Sequence, residues 1–438
     1  MNTKKLFLLF LQISIITCPI SVSISQLFLG LSFFTFLSDS ERRKNWKFSP
    51  LIGFAFLLFG WYFLSFLFNH SYRDPIVFFN DLKKSEFKDF LLFGAFFMTA
   101  TLEKDETPVI QKAFGISLLV LIISGFVSIF SLYRFSYLFN SLFREVTTWP
   151  YQHHNGRVLG IELFLPIGFM NTHLTFGGIL MFFFPFAFYK FFSDLIKKNS
   201  NRMKSGLLLL VFMVVFLLNN ARSAIVGTGI AILFGYIDLS IQKEESIRFL
   251  NKYIFKVLGI FFVLLIILST IPTFRKTISP FFGNEKHTDF GRTFIWHSSF
   301  PLVQNSPIIG IGPGNYSSEI DRSRLDLSEK NREHVFFYEV TQRGHAHNDY
   351  FHLGVISGYP GILFYIGLLY SILFSFSKLK APMEKRAMFY GILSIFPAGL
   401  LQCYFQDDEV VIVFWYLLGF FQHYIYLSSE SGEQALQI

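Results

Sequence analysis

Cysteine is nearly absent from this chain: Cys18 and Cys403 are the two among 438 residues, and both sit inside apolar stretches. That excludes a disulfide framework and a cysteine-based metal site. Charged residues are scarce as well, at 16%. A soluble domain carries about 25%, so a soluble protein of this size is excluded. The formal net charge is +8, but no basic run with interleaved aromatics lies on a soluble segment, which argues against a nucleic-acid partner and for anchoring charges and anionic lipid or substrate. Low-complexity tracts, tandem repeats and a second soluble domain are all missing. No small-x-small cleavage site follows the first apolar run after Lys4 and Lys5, so that run reads as a retained span.

What is present is apolar: 52% of residues are hydrophobic and the mean hydropathy is +0.45, which indicates an all-α polytopic membrane protein. Its 61 Phe are a surplus that a lipid-facing surface can absorb. Apolar runs predict about twelve spans, near 6–20, 23–38, 49–68, 89–102, 113–131, 174–192, 206–219, 224–240, 254–271, 350–376, 388–404 and 410–427. With the N-terminus in the cytoplasm, the basic loops Glu41–Lys47, Lys197–Lys204 and Lys378–Arg386 all fall inside, as the positive-inside rule requires. The same count puts the long polar segment from Pro272 to Asp349 outside. Its apolar pieces Trp296–Val303 and His334–Val340 read as short helices lying on the membrane.

The densest polar stretch is Arg343-Gly-His345-Ala-His347-Asn348-Asp349, at the entrance of an apolar helix that also carries His352. Hydrocarbon does not accommodate such a group unless it faces water or a polar cavity. His345 and His347 stand two apart, so an extended segment would turn both rings to one face, which suggests zinc; no cysteine and no clear third ligand beyond His352 accompanies them. A neutral His347 taking a proton from a sugar hydroxyl fits better, since the ordinary histidine pKa is ~6.5. Helix capping is the structural alternative.

Two arginines share the outer face under this topology. Arg222, in Asn219-Asn-Ala-Arg222-Ser223, lies between two apolar runs, where it either snorkels to lipid phosphates or serves as a fixed cation for a phosphorylated substrate. Arg292, in Asp289-Phe-Gly-Arg292, reads the same way, with an ordinary solvated charge as its alternative. Together they could stabilise a departing diphosphate. His153-His-Asn155-Gly-Arg157 and Asn171-Thr-His173 either line an acceptor or sugar pocket or are solvated loop residues. Gly310-Ile-Gly312-Pro-Gly314 lacks the strand, the Lys-Ser/Thr and the helix of a nucleotide loop. It reads as a tight turn that packs backbone under the site.

Together these residues resemble the superfamily of O-antigen ligases and O-antigen polymerases, bacterial membrane glycosyltransferases that also include protein O-oligosaccharyltransferases. The ligase pattern of His, then Asn, Ser or Gln, nine residues and Gly-x-x-Gly is met by His347-Asn348 through Gly358-Tyr-Pro-Gly361, at the loop-to-span junction. An Arg-x-x-x-Leu motif is approximated by Arg222-Ser-Ala-Ile-Val226, with Val in place of Leu. The stretch from Arg292 through Pro307 to Tyr316 is also similar to the family pattern.

The resemblance implies an inverting, metal-independent transfer, without a cofactor, of a glycan from undecaprenyl diphosphate to an acceptor hydroxyl at the periplasmic face of the bacterial inner membrane. It assigns His347 as general base, Arg222 and Arg292 to the diphosphate, and His345, Asn348 and Arg343 to supporting roles. The acceptor is a lipid A core sugar for a ligase and a second lipid-linked glycan for a polymerase; membrane lipids are the other partners. On this reading residues 1–205 form N-terminal spans, 206–376 the ligase-like core with periplasmic loop 272–349, and 377–438 the C-terminal spans and a short cytoplasmic tail. A transporter of lipid-linked sugars would share the spans and the intramembrane arginine, and would need no base beside the diphosphate.

Overall fold

Long runs of Phe, Leu and Ile without charge can satisfy their backbone in a bilayer only as helices, and helices are what the chain forms. The computed structural model describes residues 3–242 except 45, 47, 71–73, 143–148 and 159, then residues 259, 263 and 266, and residues 286–435 except 331–333, 342 and 343. Among the described residues seven helices are long and apolar enough to cross a membrane: Pro50–Asn69, Thr107–Ser128, His173–Ile196, Arg202–Asn219, Arg222–Ile241, Asp349–Lys378 and Asp408–Ser429. Each reaches about 27 Å or more at ~1.5 Å per residue, close to the hydrocarbon thickness. The protein is an all-α polytopic membrane protein. Two shorter N-terminal helices, Thr3–Thr17 and Val22–Ser38, are joined by Ser25 Oγ donating to the Ser14 carbonyl at 2.8 Å.

Two expected spans are not single helices. Residues 89–102 form Asp89–Leu92 and Gly94–Ala100, and residues 388–404 begin inside Met383–Tyr390 and continue as a 3-10 turn, Gly391–Ser394, and a short helix, Ile395–Gly399. Backbones pack closely at the second break, where a Cβ at Gly391 would overlap the Phe182 carbonyl oxygen and one at Gly227 would overlap that of Ser394. The expected span at 254–271 lies outside the described residues, apart from 259, 263 and 266. Phenylalanine also does more than face lipid. Phe59, Phe93, Phe405 and Phe414 surround the fully buried Trp415 with ring centroids 4.7 to 6.0 Å away, a tilted and edge-on packing suited to aromatic quadrupoles.

The helix Arg222–Ile241 orients the molecule. Near its C-terminus Asp238 accepts from Arg386 at 2.5 and 2.8 Å, and Glu384 of the same basic loop pairs with Lys197 at 3.1 Å. Two of the three basic loops therefore share one face, and Arg222 stands at the opposite end of a helix about 30 Å long. Strands β1 (His154–Val158) and β2 (Ile161–Phe164) form an antiparallel hairpin near that end. Buried Asn155 fastens it by donating to the Leu218 carbonyl at 3.2 Å. The long loop folds into Lys286–Asn305, Tyr316–Lys330 and His334–Val340, of which the middle helix has no counterpart in the hydropathy reading.

Candidate functional site

Gly358 breaks the helix Asp349–Lys378, with φ 67° and ψ −173°, a conformation open essentially to glycine. The break and Pro360 would strand backbone groups within a membrane helix, and each finds a partner. The Val355 and Ile356 carbonyls accept from the Ile311 and Gly312 N–H groups at 2.9 and 3.1 Å. The Ser357 carbonyl accepts from Trp61 Nε1 at 2.8 Å, and the freed Tyr359 N–H donates to Pro307 at 2.8 Å. The glycine loop can come this close because a Cβ at Gly310 would sit 2.5 Å from Ile356 and Ser357 backbone atoms. At its far side Glu86 accepts from the Gly314 N–H at 2.5 Å and lies 3.4 Å from His352 Nε2. Gly358→Ala is expected to cost about 1–3 kcal/mol in backbone strain alone, before its clash with the Ile308 carbonyl is counted. Thermal unfolding in detergent checks this, and an unchanged midpoint contradicts it.

One turn before that broken helix the chain is pinned at every step. Asn348 caps the helix, its Oδ1 accepting from the Phe351 N–H at 2.9 Å, while its Nδ2 donates to the Leu400 carbonyl at 2.9 Å. The capping role considered for His347 thus belongs to Asn348. Its N–H donates to Cys403 Sγ at 3.2 Å, and buried Asp349 accepts the Phe405 N–H at 2.9 Å. His347 itself has φ 51°, a left-handed backbone that few non-glycine residues adopt, and its N–H donates to His345 Nδ1 at 3.2 Å. Trp296 Nε1 donates to the Ala346 carbonyl at 2.9 Å and so ties the outer helix Lys286–Asn305 to the same junction.

These contacts hold the His347 ring at the edge of a cavity of about 480 Å³, which Arg222 and Arg292 also line. Arg222 arrives there because the helix pair reverses sharply at Asn219–Ala221: Asn220 is left-handed at φ 70°, and buried Asn219 donates to the Pro166 carbonyl at 2.8 Å. Arg222 is then the first residue of its helix, where the exposed N–H groups add to the positive potential. Arg292 enters from the outer helix. His173, Asn220, Ser223 and Thr341 complete the polar lining, which includes no carboxylate among the described residues. Ser223 is fixed by a 2.8 Å hydroxyl contact with Tyr404.

This environment disfavours charge on the histidines. Burial, and then the positive charges of Arg292 and Arg324, lower the His347 pKa against an opposing bond from Gln402. His345 is pushed down to about 3 by burial and by His347 and His352. Both rings are therefore neutral near pH 7, which makes His345 an acceptor for the His347 N–H and His347 a proton acceptor. His352 turns to Glu86 and to the Tyr316 ring, with centroids 4.7 Å apart. Among the described residues no group of three or more His, Cys, Asp or Glu forms a metal-holding cluster. Arg343 lies outside the described residues, and the hairpin residues His153, His154 and Arg157 are not among the cavity lining.

Residues 206–366 match the model of a family described as O-antigen ligase. That segment is similar to O-antigen ligases. No curated protein matches the chain. The similarity to that family covers less than half of the chain, and the seven apolar helices place it in a membrane protein. The matched residues include Arg222, Arg292, His345, His347 and Asn348, together with Gly358 and Gly361, whereas His173 and Gln402 reach the site from outside them. Gln402 and Glu86 were not singled out from the sequence. The signal available was the polar interruption Gln402-Cys-Tyr-Phe-Gln-Asp407 between two apolar runs.

Proposed function

We propose that this chain transfers a glycan from undecaprenyl diphosphate to an acceptor hydroxyl on the periplasmic side of the inner membrane, with a lipid A core sugar as the acceptor. The observation that carries the reading is that Arg222, Arg292 and His347 line one cavity. The acceptor oxygen attacks the anomeric carbon from the face opposite the diphosphate, and its proton passes to His347. The bond from that carbon to the diphosphate oxygen breaks, and the electron pair leaves with the diphosphate. Arg222 and Arg292 hold the developing charge in a site with no competing carboxylate in its described lining. Attack from the far side inverts the anomeric configuration. With a second lipid-linked glycan or a protein hydroxyl as acceptor, the same steps give polymerisation or protein glycosylation.

The test is transfer by the purified protein from a defined lipid-linked glycan to candidate acceptors, with the product weighed by mass spectrometry. A product carrying the acceptor and the glycan is expected, and chelators are expected to leave the rate intact because two guanidiniums take the place of a divalent cation. Carrier movement without a covalent product contradicts the reading in favour of a lipid-linked sugar transporter. Activity that chelation removes and one metal restores contradicts metal independence.

The sidedness has its own check. Ser317 is exposed on the helix Tyr316–Lys330, while both native cysteines are buried. Ser317→Cys in the wild-type background is therefore expected to react with an impermeant thiol reagent added to cells with an opened outer membrane. Labelling from the cytoplasmic side alone overturns the periplasmic assignment. Cys403 should be kept, since its sulfur accepts the Asn348 N–H.

A further inference from the structure

We infer that Gln402 is the positioning residue of the base: its side-chain oxygen, 2.6 Å from His347 Nδ1, holds the ring in the tautomer that leaves Nε2 bare toward the cavity. The inference rests on the reading in which His347 takes the acceptor's proton. An amide oxygen has no hydrogen to donate, so the contact requires the hydrogen on Nδ1, and a neutral imidazole with Nδ1–H keeps its lone pair on Nε2. Were the hydrogen on Nε2, the ring would present a donor to the acceptor hydroxyl and could not act as base.

Gln402 is well placed for this work. It is buried, and its N–H donates to the Ala398 carbonyl at 3.1 Å. The turn that carries it is fastened to the base's own segment on both sides, through Leu400 to Asn348 Nδ2 and through Cys403 to the Asn348 N–H. The ring and its orienting amide therefore move as a unit.

The choice of an amide also has a chemical reason. A carboxylate is a common partner for a catalytic imidazole and would fix the same tautomer. Here the base shares its cavity with Arg222 and Arg292, and a negative charge beside the ring would draw on the guanidiniums that an anionic leaving group needs. Glutamine orients without charge. The other titratable or charged groups facing His347 are Arg292 from Lys286–Asn305, Arg324 from Tyr316–Lys330 and His345 from its own segment, with Arg222 and His173 across the cavity.

The experiment compares wild type, Gln402→Leu and Gln402→Glu by ¹⁵N NMR of histidine-labelled protein, with His347→Ala assigning the signals, and by the pH profile of transfer. In wild type at neutral pH, a protonated Nδ1 and a bare Nε2 are expected for His347. Gln402→Leu should mix the two tautomers and lower kcat ~10-fold or more with donor binding retained. Gln402→Glu should keep the tautomer and move the acid limb of the profile to higher pH by about 1 or more, because a carboxylate favours the imidazolium. A protonated Nε2 in wild type overturns the inference, as does Gln402→Leu with wild-type spectrum and rate, or Gln402→Glu with an unmoved limb. If His347→Ala retains full transfer, the reading of His347 as base fails, while the spectra still judge what Gln402 does to the ring.

Discussion

Replacing His347 with alanine is expected to lower kcat by ~10²-fold or more while the lipid-linked donor still binds. The backbone at 347 is held by neighbours: His345 receives its N–H, Asn348 caps the following helix and Trp296 grips Ala346. Removing the ring therefore takes away a proton acceptor and leaves the junction in place, although alanine inherits the left-handed backbone. Proton transfer matters only as the acceptor oxygen attacks, so the loss falls on turnover and not on donor affinity. The pH dependence carries the same signature. Burial lowers the His347 pKa from its ordinary value, so the neutral base persists at pH 7 and the rate should fall only as the pH drops through a point below that ordinary value. A folded His347→Ala variant with near-normal transfer would remove His347 from the mechanism.

Arg222→Lys should also be poorly tolerated, although it keeps the charge. Arg222 begins its helix at the cavity wall, where a planar fork can bind two phosphate oxygens while the helix N–H groups face the same anion. An ammonium is a point charge on a flexible stem and loses the second of the paired bonds. A charge-assisted hydrogen bond contributes about 1.5–3 kcal/mol, so kcat/KM is expected to fall by roughly 10- to 10²-fold. Donor binding should weaken as well, which separates this variant from His347→Ala. A lysine variant with wild-type kcat/KM contradicts a bidentate grip.

The polar residues Arg222, Arg292 and His347 could be picked out in the sequence because each interrupts or borders apolar runs that have no structural use for it. Gly358 and Pro360 within one apolar run are the sequence mark of a kink, because proline lacks the N–H that a continuous helix needs. What hydropathy cannot show is where a broken helix sends its backbone groups. The pairing of Val355 and Ile356 with the glycine loop, and of Ser357 with Trp61, joins segments far apart in the chain. The stretch 388–404 looks like a span because its composition is apolar, yet it turns to 3-10 geometry at Gly391–Ser394, where the Phe182 backbone packs on Gly391. The polar interruption from Gln402 to Asp407 marks a break between two apolar runs but does not say which of its side chains has a partner, or where. The meaning of Gln402 comes from the 2.6 Å contact with a ring 55 residues earlier.

The most direct test of the central claim is a structure of the protein with undecaprenyl diphosphate bound. The account predicts the diphosphate between the Arg222 and Arg292 guanidiniums, in the cavity that His347 borders, with His347 Nε2 facing the side from which an acceptor hydroxyl approaches. A diphosphate bound elsewhere, or one held by these arginines with His347 turned away from it, would contradict the account.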